Sequence, residues 1–444
     1  MKKKKRSFHK SPFFFTKIKR KKTCLEHEHE FYLPDDCWEH VFKFLINHKL
    51  DFKSLSLVSK QFLSITNRLT FSIATRNPKP CFLNRFFRRF HNLNSLCLEF
   101  RFRALDARVA SVLRDRPTLK SLSVSKIKLK DTSYVTSQYI NSFVSLKGLN
   151  CLKFCDSQIS NDLLYSIARE GLPLKSFVLD NCIGYYYDGL YFLLSKCNGI
   201  QHLGLRADFL KDPHIAELSL FLGGLTSINF RKCWNLTNSA LFALVRNCRL
   251  LTEVTLESII RKSVESSDSL KNLYVNPRLK FLSLTHNFYI EDESIVLLAS
   301  IFPNLEHLDL SYSDLISDKG ICQVLSRCPN IRHLNFTNGN KVRGLKMNFI
   351  VSQLEVLDLS STVVDDETLY WISKSCRGLL KLLLSFCHYI TEKGVMHVVE
   401  NCTQLKEVNL SYCKKVNVEV VVSIILSRPS LKKRKLIIYK SLSF

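Results

Sequence analysis

The sequence of 444 residues has few of the features that mark enzymes and membrane proteins. Its 13 glycines are scattered, and it contains no GxxxxGK phosphate loop, no GxSxG elbow and no HExxH pair. No apolar run approaches the roughly 18 to 20 residues that span a bilayer. The basic start is followed by only three consecutive phenylalanines, too few for a signal peptide. We therefore expect a non-catalytic intracellular protein, nuclear or cytoplasmic, with no membrane span, metal or cofactor.

Acidic residues are absent from the first 22 positions, which hold eleven lysines and arginines. These account for eleven charges of the net +26, and the remaining +15 on the body of the chain could favour an acidic partner. Residues 1–30 show no helical or strand period, so we predict a disordered basic tail that is either a nuclear-localisation signal or a solvated arm. Its His27 and His29 are too few for a zinc site.

Residues 31–75 have apolar side chains at helical spacing. The stretch opens on Leu33, Pro34 and Asp35, and Asp35 can cap a helix. The apolar residues then recur at intervals of three and four in two stripes, one running from Trp38 to Leu45 and the other from Leu50 to Ile65. We predict two or three short helices, in a module small enough to need a partner or the following segment for stability.

The stretch LPDDCWEHVFKFL…LDFKSLSLVSKQFLSI resembles an F-box, with a Leu-Pro start, a Val-Phe-x-x-Leu core and a Ser-Leu-Val-Ser-Lys-x-Phe ending. In that family the module docks on a Skp-type adaptor, which links it to a cullin–RING scaffold. The resemblance implies that ten residues lie at or just behind this contact: Leu33, Pro34, Val41, Phe42, Leu45, Leu57, Val58, Ser59, Lys60 and Phe62. Ser59 stands where many members have Cys. An unrelated helical cap with the same stripes is the alternative.

The pattern Leu-x-x-Leu-x-Leu recurs fourteen times from Leu93 onward, mostly every 25 or 26 residues. Within each unit a helical period follows the strand period, as in DKGICQVLSRC. One strand and one helix cannot cover their own apolar face, so neighbouring units must stack. We predict an α/β fold: the helical module at 31–75, a linker or cap at 76–92, and a right-handed horseshoe solenoid of about 13 to 14 strand–helix units at 93–444, closed by a basic end at 432–435.

Sixteen cysteines spread over a long chain indicate a reducing compartment rather than a disulfide scaffold. Nine of them repeat at two positions of the unit: Cys182, Cys233, Cys387 and Cys413 after the strand, and Cys197, Cys248, Cys328, Cys376 and Cys402 after the helix. Such repetition predicts core positions, not metal ligands or nucleophiles. The units resemble the plant-like, cysteine-containing leucine-rich repeats commonly joined to F-boxes. Units at 119, 251 and 331 depart in length, so we expect loops or poorly formed helices there.

The combined resemblance implies the substrate-recognition subunit of an SCF-type cullin ubiquitin ligase, which presents a protein for ubiquitination and degradation. The concave strand face is the expected substrate site, since alternate side chains point away from the core. Arginines and aromatic residues are favoured binding anchors. The candidates for substrate contact are Arg206, Arg231, Lys232, His286, Tyr312, Phe386 and Tyr412.

Two other functions stay open at this point: a leucine-rich-repeat scaffold that acts without a ligase, and a small-molecule or hormone co-receptor of the same family. Nucleic-acid binding has weak support. The basic residues Arg85, Arg88, Arg89, Arg101 and Arg103 would permit phosphate contacts, but the sequence indicates no stacking aromatic residues in a basic groove.

Overall fold

The computed structural model describes residues 33–45, 49–103, 107–114, 116, 118–128, 140–258, 275–428 and 435–437. The chain forms two compact units, residues 1–69 and 70–444, which we describe in turn. The predicted tail at 1–30 lies outside the described residues, as do residues 129–139 and 259–274 of the two long units and most of the basic end at 432–435.

The first unit contains three helices, α1 (Asp35–Phe44), α2 (Lys49–Leu55) and α3 (Lys60–Arg68). Its core is formed by Phe42, Ile65 and Leu69. The Phe42 ring meets the edge of the Phe62 ring at a centroid distance of 4.9 Å. Asp35 does not cap α1 as we predicted. It is the first helical residue, and its carboxylate pairs with Arg68 at 2.8 Å, which joins α1 to α3.

In the described part of the second unit, fifteen parallel strands form one sheet in chain order. The strands are β1 Ser72–Arg76, β2 Ser95–Arg103, β3 Ser121–Ile127, β4 Cys151–Cys155, β5 Ser176–Asp180, β6 His202–Leu205, β7 Ser227–Arg231, β8 Glu253–Glu257, β9 Phe281–Ser283, β10 His307–Asp309, β11 His333–Asn335, β12 Val356–Asp358, β13 Lys381–Leu383, β14 Glu407–Asn409 and β15 Lys435–Ile437. The predicted α/β solenoid of strand–helix units is confirmed.

Helices follow most of these strands. They are α4 Pro80–Arg89, α5 Ala107–Arg114, α6 Asn161–Arg169, α7 Tyr187–Lys196, α8 Asp212–Ser219, α9 Asn238–Asn247, α10 Asp292–Ile301, α11 Asp318–Arg327, α12 Asp366–Ser375, α13 Glu392–Asn401 and α14 Val418–Ser427. No helix in the described part of the chain has both the length and the apolar character needed to cross a bilayer.

The core lies between the sheet and these helices. In the unit at 305, the three leucines of the repeat, Leu305, Leu308 and Leu310, are all buried. Leu308 lies in register between Leu282 and Leu334 of the flanking strands, so each repeat leucine belongs to a continuous apolar row. Full burial of one such side chain contributes about 1.5–3 kcal/mol.

Aspartates join the helix starts of adjacent units. The Asp366 carboxylate accepts hydrogen bonds from the Thr391 backbone N–H at 2.7 Å and from its hydroxyl at 2.6 Å. Thr391 in turn caps α13. Asp292 makes the same pair of bonds to Ser317, which caps α11. These bonds satisfy polar groups at the N-terminal starts of two adjacent helices and fix the spacing between the units.

The nine repeated cysteines are buried, as the repeat pattern predicted. The thiol of Cys413 approaches the Leu384 carbonyl at 3.0 Å, and Asn287, at the equivalent place in another unit, donates to the Leu256 carbonyl at 2.9 Å. Burial raises the pKa of the Cys413 thiol to about 12. Because the thiolate is the reactive form, these side chains belong to the core and not to a catalytic site.

The structure moves the boundary between the module and the sheet. We predicted a module through residue 75 and a linker or cap at 76–92, whereas β1 and α4 form a complete strand–helix unit there. In β1, Ile73 lies opposite Leu96 and Thr75 lies opposite Leu98. Thr70 likewise takes the place of Leu93, so this unit lacks two of the leucines that define the repeat. Because β1 precedes residue 93, it adds one strand to the 13 to 14 units that we predicted for residues 93–444.

The unit at 331 has the irregular form that we expected. Residues 339–352 contain no helix, and this segment packs through buried Leu345, Met347 and Val351. The Asp318 carboxylate, which in other units would meet a helix start, instead accepts the backbone N–H groups of Arg343 and Gly344 at 3.0 Å each.

Candidate functional site

The helical module places most of the predicted adaptor-binding residues on its surface. Seven are exposed: Leu33, Pro34, Val41, Leu57, Val58, Ser59 and Lys60. The other three lie inside, with Phe42 only 1% exposed and Leu45 and Phe62 half-buried. The predicted set therefore divides into an outer layer, open to contact, and an inner layer that supports it.

Phe44 is the most exposed large apolar residue of the module, at 84%. Sequence reasoning missed it because the stripe through Trp38 and Phe42 accounted for the core. A second stripe was present in the sequence, since Val41 and Phe44 are three residues apart and follow Cys37 at helical spacing. We use the term outer apolar surface for the five exposed apolar residues Leu33, Val41, Phe44, Leu57 and Val58.

Polar contacts between α1 and α3 position this surface. The Gln61 amide donates to the Leu33 carbonyl at 3.3 Å and to the Asp35 carboxylate at 2.9 Å. These bonds hold Leu33 beside the start of α3, which Ser59 caps by accepting the Phe62 backbone N–H at 3.1 Å. The Arg68 guanidinium holds the pKa of the Asp35 carboxyl below its ordinary value, so the pair stays ionised. Leu33 and the loop at 57–58 are thus held at the same end of α3.

The exposed face of the sheet, on the side away from the helices, is the second candidate surface. Arg206 and Arg231 line one depression of about 300 Å³ there, together with Lys153. The depression exists because Gly204 has no side chain and lies in register between Val178 and Asn229. A Cβ atom at Gly204 would lie 3.1 Å from the Val178 side chain. We call this the basic depression.

Charge in the basic depression is only partly neutralised. Arg206 approaches Asp180 at 3.9 Å, and Arg231 pairs with Glu257 at 3.3 Å. Lys153 adds a third cation, while Asp180 is the one carboxylate in the lining of the depression. Lys232, the neighbouring candidate, lies outside that lining, in the turn that follows β7. The arrangement favours an anionic group of a partner.

The four aromatic candidates form two stacked pairs. The rings of His286 and Tyr312 lie 4.3 Å apart and 9° from parallel, and those of Phe386 and Tyr412 lie 4.5 Å apart at 12°. In the two units between these pairs, Asn338 and Ser361 occupy the same turn position. The structure therefore brings the four residues together in twos and does not form one continuous aromatic surface.

The left-handed backbone at these positions belongs to the fold. His286, Tyr312, Phe386 and Tyr412 have φ between 57° and 62°. A non-glycine residue in this region costs about 1–2 kcal/mol. The same sign of φ recurs at the matching place in most units, and the Tyr312 N–H donates to the Thr337 carbonyl at 2.8 Å. The left-handed turn therefore serves the connection between units.

Sequence reasoning missed a second depression of about 220 Å³ on the sheet face, between β9 and β13. His307 and His333 lie in it with ring centroids 4.1 Å apart, and Phe281 lies 5.9 Å from His307. Burial, and then the neighbouring His307, lower the pKa of His333, so its neutral form is favoured. A sequence signal for this depression was present. Phe281, His307 and His333 each stand directly before the second leucine of their repeat, at an outward position of the strand.

Two carboxylates in this second depression form turns. Asp309 accepts the Ser311 backbone N–H at 3.0 Å, and Asp358 accepts that of Ser360 at 2.9 Å. Asx turns of this kind are common where a chain leaves a strand. Within the described ranges, no three His, Cys, Asp or Glu side chains are grouped so that they could hold a metal ion.

A family model described as a leucine-rich repeat matches residues 303–321, which contain β10 and the start of α11. This match and the fifteen parallel strands agree on the type of repeat. The described strands and helices form a leucine-rich-repeat solenoid. The chain is 26% identical over 248 residues to a transport inhibitor response 1-like protein of rice, Oryza sativa subsp. japonica. That match covers 52% of this chain and only 38% of the rice protein's length.

Two solved structures are similar to this chain at low sequence identity. An internalin from Listeria monocytogenes matches with a TM-score of 0.51 and 13% identity, covering 88% of this chain and 94% of the internalin. Rad7, in its complex with Elc1 from yeast, matches with a TM-score of 0.49 and 16% identity, covering 89% and 90%. At these identities the internalin match shows the repeat architecture alone.

Proposed function

We propose that this chain is the substrate-recognition subunit of an SCF-type cullin ubiquitin ligase. The helical module docks on a Skp-type adaptor, and the exposed face of the sheet binds a protein that is presented for ubiquitination. The chain itself performs no chemistry in this proposal, because transfer of ubiquitin belongs to other subunits.

The outer apolar surface carries the proposal. Among the described residues of the module, five large apolar side chains are exposed, while the buried apolar cluster consists of Phe42, Ile65 and Leu69. Several strongly exposed large apolar side chains on one small module favour an interaction site. Leu33, Val41, Leu57 and Val58 are also positions that the F-box resemblance assigns to adaptor contact. Exposure and resemblance thus favour the same side chains.

The basic depression supports a protein substrate with an acidic segment. Lys153, Arg206 and Arg231 surround an open space of about 300 Å³, large enough for a side chain from a partner. Partly exposed arginines with unsatisfied donors bind carboxylates with two parallel hydrogen bonds. The stacked pairs at His286 and Phe386 offer apolar contacts further along the same sheet. We therefore propose an acidic segment with neighbouring apolar residues as the substrate feature.

A ligand-dependent co-receptor is the second candidate function. The rice relative is named for a response to a transport inhibitor, and small-molecule sites begin at about 300 Å³. The basic depression has that volume but is open on the sheet face. A substrate that binds equally well with and without added small molecules would remove this candidate.

Co-expression of the full chain with a Skp-type adaptor tests the proposal. We expect the intact chain to retain the adaptor and the variant Val41→Asp/Phe44→Asp/Leu57→Asp to lose it. The matched control is Ile350→Asp/Leu426→Asp, which adds charge at equally exposed apolar positions of the solenoid, at 79% and 74% exposure. If the intact chain fails to bind, or if the control loses the adaptor as completely as the module variant, the ligase role is rejected and a scaffold without a ligase becomes the better account.

A further inference from the structure

The helical face of the first two strand–helix units differs from the rest of the solenoid in its charge. Every exposed charged residue on α4 and α5 is an arginine: Arg85, Arg88, Arg89, Arg108 and Arg114. Neither helix contains an acidic residue, and the two helices pack side by side. We call this surface the arginine face.

The contrast with later units is large. Residues 70–128 contain 13 Lys and Arg but only three Asp and Glu, whereas residues 275–428 contain 16 of each sign. The helices α10, α12 and α13 all carry two acidic residues in the first turn or at exposed positions, so their faces are mixed or acidic. The positive charge of the solenoid is therefore concentrated at one end and is not a general property of its surface.

The pairing of three of these arginines can be compared with that of cations on the sheet face. There, Lys280 lies 2.6 Å from Glu306 of the next unit, and Lys381 lies 3.2 Å from Glu407. Among the described residues, no carboxylate lies within ion-pairing distance of Arg85, Arg88 or Arg114. Repulsion among Arg85, Arg88 and Arg114 favours an anionic partner.

An aromatic ring is exposed among these arginines. Phe82 is 46% exposed, and it precedes Arg85 by three residues and Arg89 by seven, so the three lie on one side of α4. The buried face of the helix is provided separately by Leu83 and Phe87. Phe82 is therefore not needed for the core, and its ring is available to a ligand.

We propose that the arginine face binds single-stranded nucleic acid, with the arginines on the phosphates and Phe82 stacked on a base. Sites of this kind combine a basic surface with aromatic rings that stack on successive bases. Because arginine binds phosphate and carboxylate alike through two hydrogen bonds, it is the exposed ring of Phe82 that favours nucleic acid over an acidic protein. Membrane binding needs a broad apolar face, and here one exposed ring stands among five cations. This activity goes beyond the proposed ligase role and does not depend on it.

The test is binding of the full chain to fluorescein-labelled oligouridylate of about 20 nucleotides at several salt concentrations. Each phosphate contact on a single strand contributes about 0.7 to the slope of log K against log salt. We expect Arg85→Ala/Arg88→Ala/Arg114→Ala to reduce that slope by about 2 and to weaken binding about ten- to hundredfold at 0.1 M salt. The basic tail is present in the natural chain and in every variant, so its contribution to binding cancels when their affinities and salt slopes are compared.

Two further variants identify the source of the effect. Lys319→Ala/Lys374→Ala/Lys393→Ala removes three exposed cations from helices of later units and should leave affinity and slope unchanged. Phe82→Ala should weaken binding about fivefold or more with the same salt slope, because stacking releases no counterions.

Several outcomes would overturn the proposal. These are equal effects of the two triple variants, an unchanged slope in the arginine variant, and a chain that binds polyglutamate or phosphatidylserine vesicles more tightly than oligouridylate. The last result would assign the arginine face to an acidic protein or to a membrane instead.

Discussion

The helical module and the solenoid place similar side chains in opposite environments. Phe44 of the module is 84% exposed, whereas Phe177 of the solenoid is fully buried between adjacent units. The difference follows from how each is built. An internal strand–helix unit has a neighbour of the same shape on each side to cover its apolar face, whereas the helical module is not part of this repeat. Its uncovered apolar residues are therefore available to a different chain.

The solenoid shows the same contrast within each repeat. Buried leucines, capping residues and cysteines recur at fixed places, because each must fit the unit before and after it. Outward positions on the sheet face can change in kind from unit to unit, as where Lys153, Val178, Gly204 and Asn229 follow one another in register. Repeated positions hold the fold, and unrepeated ones are free to determine which partner binds.

The largest expected effect compares the two phenylalanines directly. Phe177→Ala should lower the free energy of unfolding of the solenoid by about 3–5 kcal/mol, because it leaves a cavity in a packed core. Phe44→Ala should change the free energy of unfolding of the helical module by no more than about 0.5 kcal/mol. Urea denaturation followed by circular dichroism measures both. A comparable loss in Phe44→Ala would show that the outer apolar surface serves stability and not binding.

A smaller effect is expected at the aspartates that join units. Asp366→Ala removes the acceptor for the Thr391 backbone N–H and hydroxyl, and should cost about 1–2 kcal/mol. The neighbouring Glu367→Ala removes only an exposed ion pair with Lys346, for which we expect less than about 1 kcal/mol. Thermal unfolding of the two variants side by side provides the comparison. Equal shifts in unfolding temperature for the two variants would contradict our view that the repeated aspartate contributes more to stability than the exposed ion pair.

The stacked pair of His286 and Tyr312 should contribute less again. A double-mutant cycle with His286→Ala and Tyr312→Ala is expected to give a coupling energy of about 0.5–1 kcal/mol, since aromatic contacts of this geometry reach about 0.5–1.5 kcal/mol. If the coupling exceeded that of buried ring pairs, the stack would be a structural feature like the leucine rows. A weak coupling leaves the rings available for a substrate.

The smallest effect concerns Asp318, in the unit that lacks a helix. Burial raises the pKa of the Asp318 carboxyl above its ordinary value of 3.8, against the backbone N–H groups of Gly344 and Arg343. The folded chain thus binds this proton more tightly than the unfolded chain does. The resulting stability is present below pH 3.8 and is lost as the pH rises through the raised value.

Asp318→Asn should remove this dependence. The unfolding free energy of the natural protein should fall relative to that of Asp318→Asn as the pH rises through the window above 3.8. Urea denaturation of both proteins at a series of pH values measures the difference. Parallel curves across that window would contradict the assigned environment of Asp318.

Sequence periodicity predicted the repeated parts of the molecule and not the unrepeated ones. The leucine spacing identified the sheet, the helices and the cysteine positions, because all units obey the same packing. It missed the first unit, where Thr70 and Thr75 replace leucines and only register with β2 reveals the strand. It also missed His307 and His333, because the apolar period identifies only the inward positions of each strand.

The candidate sites were recovered unevenly for a related reason. The F-box resemblance selected Leu33, Val41, Leu57 and Val58, which are exposed, but gave no weight to Phe44. Arg206 and Arg231 were selected by position, yet the depression between them depends on Gly204, whose role is visible only in the aligned strands. A depression of this kind depends on which residues of adjacent strands lie side by side, and the sequence of a single unit does not reveal that pairing.

The most direct test of the account is the affinity of the full chain for a purified Skp-type adaptor, compared among the natural protein, Phe44→Asp and Ile350→Asp. Both substitutions place a charge at a strongly exposed apolar position, one on the module and one on the solenoid. We predict that the natural protein and Ile350→Asp bind with the same affinity, and that Phe44→Asp binds at least about tenfold more weakly, as for a contact near the centre of an interface. Absence of binding by the natural protein, or equal affinity of all three, would contradict the assignment of the outer apolar surface to adaptor docking.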